Sequence, residues 1–118
     1  MKKIALLVLL SAFTLLADVS GKWSGMGTKG DDSHELFFVF KQDGKTLTGS
    51  GGPNEQEQHP MDPGTVEGDR VQFKVPVGDK GAFVFDLKST GDEMKGQVQM
   101  SRGEGQSETY QVALKKVK

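Results

Sequence analysis

Two histidines and a handful of clustered carboxylates are the residues here whose types suit chemistry. His34 falls in Asp31-Asp32-Ser33-His34-Glu35, and His59 closes the run Asn54-Glu55-Gln56-Glu57-Gln58-His59. Histidine beside carboxylates can hold a divalent metal or pass a proton. The spacing of the first run opposes a metal. Adjacent residues on a strand point to opposite faces, so His34 and Glu35 do not readily share an ion, and His59 could join only through long-range folding. A solvated loop accounts for that run. Asp31-Asp32 and Asp92-Glu93 read as turn residues, where hairpin solvation explains them. Asp86 alternates with Phe85 and so faces outward. There is no cysteine, and no Gly-x-Ser-x-Gly, HExxH, EF-hand spacing or phosphate-binding glycine loop. The expectation is a protein without catalytic machinery, metal or cofactor.

The residues with the best case for binding lie on a long polar loop. Gly51 to Gly64 carries Pro53, Pro60 and Pro63 together with Gly51, Gly52 and Gly64, which argues against a regular element across it. Loops of this length in compact domains are usually functional or disordered. Asn54, Glu55, Gln56, Glu57 and His59 are therefore the candidate ligand contacts.

What positions that loop is a turn-and-strand unit used three times. It reads Asp43-Gly44-Lys45-Thr46-Leu47-Thr48-Gly49, then Glu67-Gly68-Asp69-Arg70-Val71-Gln72-Phe73, then Thr90-Gly91-Asp92-Glu93-Met94-Lys95-Gly96. Glycine beside Asp or Lys supplies the positive φ of a tight hairpin, and the alternation that follows gives a strand with one buried face. Met26 to Ser33 reads as a polar loop. His34 to Gln42 is the strongest strand, with Leu36, Phe38 and Phe40 inward and Phe37 and Val39 outward, a candidate partner surface. Further strands fall at Arg70–Val75, Ala82–Lys88, Met94–Met100 and Thr109–Lys115, and no helical period appears after the N-terminal segment. The fold class is all-β: an antiparallel up-and-down meander closing into a small barrel of about eight strands. Trp23, the only tryptophan, reads as a plug at one end. The bulk of the inward aromatics favours a mostly filled core with a shallow open end over a deep calyx.

Met1-Lys2-Lys3 followed by the apolar run Ile4 to Leu16 reads as a signal peptide, residues 1–17, cut between Ala17 and Asp18. The run is shorter than the ~20 residues a membrane span needs. Residues 18–118 then form a single exported domain, periplasmic or extracellular, with no membrane attachment after cleavage. Loss of Lys2 and Lys3 takes the formal charge from −1 to −3. The absence of a basic run and of an aromatic platform interleaved with Arg argues against nucleic acid as a partner.

Gly21-Lys22-Trp23 before a meander resembles the Gly-x-Trp opening of the calycins, lipocalins and avidins included. The avidin likeness extends to Asp43-Gly44-Lys45-Thr46-Leu47-Thr48-Gly49, although avidins surround biotin with further tryptophans that this chain lacks. Across residues 21–25, 44–49, 68–73 and 91–96 the chain is similar to a loose group of small exported bacterial proteins of unassigned function. That resemblance implies a small barrel and export, and it carries no active residues. A more distant likeness is to periplasmic metalloprotease inhibitors, which plug their target with an N-terminal segment. Here only Asp18-Val19-Ser20 precedes the barrel. The functional expectation is a non-enzymatic binding module whose open barrel end and 51–64 loop meet a small molecule or glycan. The alternative is a protein-interaction module, an inhibitor or accessory domain.

Overall fold

The computed structural model describes residues 18–78, 81–102 and 107–118. The leader assigned to 1–17, its cleavage residue Ala17, and residues 79–80 and 103–106 lie outside the described residues. All regular structure among the described residues is β. The strands are β1 (Gly21–Lys29), β2 (Asp32–Asp43), β3 (Thr46–Gly52), β4 (His59–Pro60), β5 (Asp62–Glu67), β6 (Arg70–Val77), β7 (Gly81–Thr90), β8 (Glu93–Arg102) and β9 (Ser107–Lys116). Eight of them pair antiparallel in sequence order, and β9 returns to β1, closing the barrel. The two-residue β4 is an extra piece, pairing β3 beyond the short β3–β5 ladder.

The three repeated units give three two-residue hairpin turns, Gly44-Lys45, Gly68-Asp69 and Gly91-Asp92, with glycine φ of 62°, 62° and 64°. Because the strands alternate in direction, all three lie at one end of the barrel. Met26–Ser33 departs from expectation. It is no loop but the end of β1, the turn Gly30-Asp31 and the start of β2. Its polar, glycine-rich sequence hides the alternation, while Gly30-Asp31 is the same turn chemistry at the opposite end. The 51–64 loop also departs from expectation. It shrinks to residues 53–58, because Gly51 and Gly52 belong to β3, Pro60 ends β4, and Pro63 sits in the register break between Asp62 and Thr65. A proline at such a break removes no ladder hydrogen bond.

Inward alternation holds in every long strand, and it divides the interior into layers. At the end with the repeated turns, Trp23, Leu47, Val71, Leu87, Met94 and Leu114 are all fully buried. Val19 lies under them: its N–H donates to Gln42 Oε1 at 2.9 Å, and its carbonyl accepts from Trp23 Nε1 at 2.9 Å. That end is sealed. The middle layer is four phenylalanines, Phe38, Phe40, Phe73 and Phe85, with ring centroids 4.7–5.4 Å apart in stacked and edge-on pairs. Such pairs add about 0.5–1.5 kcal/mol each beyond their burial. Gly51 makes the cluster possible, since a Cβ there would stand 2.5 Å from the Phe38 ring.

Candidate functional site: an open cup in the barrel

Above the phenylalanine layer the interior is not filled. A cavity of about 390 Å³ opens at the end opposite the repeated turns, within the size range of small-molecule sites. Phe38 and Phe85 form its floor, and Leu36, Val75, Val77, Phe83, Val98 and Met100 its walls. This is deeper than the bulk of the inward aromatics implies. Two inward positions that carry no side chain, Gly27 and Gly51, are buried and line the cavity.

The rim is polar: His34, Glu35, Glu57, His59 and Tyr110. His34 is therefore a rim residue on a strand, not part of a solvated loop, and its neighbour Glu35 lines the same mouth. Alternation places Asp32 with His34, and the two meet, Nε2 to Oδ1, at 3.2 Å. Tyr110 donates its hydroxyl to the other carboxylate oxygen of Asp32 at 2.7 Å, and its ring stands edge-on to His34 at 5.7 Å. The Tyr110 hydrogen bond, above the smaller contributions of His34 and Lys29, holds the Asp32 carboxyl below the usual aspartate range. Gly27 lies on β1 between β2 and β9, opposite both His34 and Val112. Lacking a side chain, it lets Tyr110 and His34 meet over the barrel wall.

The candidate loop residues divide in two. Glu57 and His59 line the cup and face each other at 3.8 Å. Asn54, Glu55 and Gln56 do not line it. Asn54 Oδ1 accepts from the backbone N–H of Gln56 and of Glu57 at 3.0 and 2.8 Å, which shapes the turn. Glu55 reaches Lys22 at 2.6 Å. Lys22 is on β1 and Glu55 follows β3, so this bond crosses the outer face of β2, where Phe37 and Val39 are half-buried. Gln58 fastens the loop further, donating to the carbonyls of Phe37 and Asn54 at 3.2 and 2.7 Å and accepting from Ser50 Oγ at 2.7 Å.

Sequence reasoning named the open barrel end but not the pairing of Asp32 with Tyr110 or the apolar wall residues. Nothing local could have paired two residues 78 positions apart. The other carboxylate of interest, Asp86, faces out and accepts both Arg70 donors at 3.1 and 2.8 Å. Among the described residues, no three His, Asp or Glu side chains converge in a way that could hold a metal. No buried side-chain nitrogen or oxygen there lacks a hydrogen-bond partner. An apolar cup with a polar rim is suited to holding a molecule.

No family model, curated protein or solved structure matches the chain. The likeness to calycins and to the small exported barrels thus rests on the quoted motifs.

Proposed function

We propose that the protein is an exported, non-enzymatic binding module that takes a small, largely apolar ligand into the open end of its barrel. The 51–64 segment contributes Glu57 and His59 to the rim. The observation that carries this reading is the cup itself, with apolar walls, a floor of phenylalanine rings and polar groups confined to the mouth. Leu36, Phe83 and Met100 are partly exposed, and covering apolar surface gains about 25 cal/mol per Å². Those walls suit an apolar ligand better than a glycan. The alternative, a protein-binding face at Phe37 and Val39, is less favoured because the Lys22–Glu55 bond crosses it.

The test is a fluorescence titration with N-phenyl-1-naphthylamine, a neutral apolar probe that brightens on leaving water. Saturable binding at one site per chain is expected, lost in Met100→Trp, which fills the cup from its wall. No saturable binding, or equal binding by a folded Met100→Trp variant, refutes the reading.

A further inference from the structure

If the cup takes a ligand, the ligand's polar end lies among the rim residues, whose charge decides its sign. Resting on that reading, we infer that the ligand is an amphiphilic cation, with an apolar body in the barrel and a protonated or quaternary amine at the mouth lined by Glu35 and Glu57.

Among the described side chains the mouth is acidic. Glu35 and Glu57 line it, and Asp31 and Asp32 stand in and beside the adjoining β1–β2 turn. Among the described side chains, the lysine at this end is Lys29, whose Nζ is 3.4 Å from Glu108. The two histidines do not reverse the sign. His34 faces Asp32 at 3.2 Å and His59 faces Glu57 at 3.8 Å, so a proton on either ring serves a carboxylate already present.

The interior agrees with the rim. Phe38, Phe83, Phe85 and Tyr110 line the cup, and aromatic faces attract ammonium groups, more strongly where water is excluded. Lys29 already holds its ammonium 6.0 Å from the Tyr110 ring centroid. An anionic headgroup would meet carboxylates at the mouth and the negative faces of rings below it.

Calorimetric titration with decyltrimethylammonium and with decanoate, both below micelle-forming concentration, tests the inference, because the two share a chain and differ in sign. The cation is expected to bind roughly tenfold tighter in low salt, the preference shrinking as salt rises from about 20 mM to about 500 mM. The double variant Glu35→Gln/Glu57→Gln is expected to lose most of that preference, with the affinity for the cation falling toward that for decanoate. Equal or tighter binding of decanoate, or a preference that survives salt, overturns the inference. Binding of the neutral probe with no preference for either sign overturns the inference alone and leaves the apolar cup as a binding site. Failure of the probe and of both amphiphiles to bind overturns both.

Discussion

The most informative single contact is the hydroxyl of Tyr110 on Asp32, since it ties β9 to β2 across β1. Because the Asp32 pKa is lowered in the fold, its stabilising contribution is present above the unfolded aspartate value of about 3.9. That contribution is lost as pH falls through the lower folded value. Tyr110→Phe is therefore expected to raise the Asp32 pKa, read directly by carboxylate NMR. Wild type and variant should differ in stability above about pH 4 and converge in stronger acid. An unchanged Asp32 titration would mean that the hydroxyl does not set it. Gly27 is the companion test. A Cβ there meets only ordinary contacts, the nearest Leu36 Cδ1 at 3.5 Å, so Gly27→Ala is expected to fold normally. Gly27→Leu is expected to part Tyr110 from His34 and narrow the cup, weakening the neutral probe at least tenfold. Neither role was legible in advance. Gly27 sits in a polar, glycine-rich run with no alternation to mark its facing, and Tyr110 and Asp32 meet only once the barrel closes.

At the scale of elements the chain was far more legible, because hairpins and strands are local. Each repeated turn carries its own signal, and the mechanism is testable at Gly68. Its φ is 62° and a Cβ there touches nothing within 4 Å, so any cost of Gly68→Ala is backbone strain alone. A loss of about 1 kcal/mol is expected in denaturant unfolding, and less for Gly68→Asn, which tolerates that conformation. Equal stability of all three proteins would contradict the turn assignment. The strap from Lys22 to Glu55 is a weaker element. Both side chains are about half exposed, so a double-mutant cycle is expected to return at most about 1 kcal/mol. Its consequence is positional, since it draws the 53–58 loop outward and leaves Glu57 and His59 at the cup. The proline-rich stretch misled at this scale because proline is excluded from regular ladders but not from a register break. Pro63 lies within one and Pro60 ends a two-residue strand.

For the whole molecule, the connections divide by end. The three repeated turns close the sealed half over Trp23 and Val19, while the turn at Gly30-Asp31 and the 53–58 loop surround the mouth. One half is thus packed for stability, and the other keeps apolar surface open. That division was only half legible: strand parity shows which side chains point inward, but not how much space remains once glycines share the interior with them. It has a thermodynamic consequence. A ligand that binds only the folded barrel stabilises it by about 2.7 kcal/mol at a hundred times its Kd. For a domain of this size that corresponds to a rise in Tm of roughly 10–20 °C. Calorimetric scans of residues 18–118 with decyltrimethylammonium at that excess should show such a rise. The same concentration should leave the Tm of Met100→Trp unmoved, because its cup is filled by its own side chain. A shift of equal size in both proteins would place the ligand outside the barrel, on the half-buried face at Phe37 and Val39 or elsewhere on the surface.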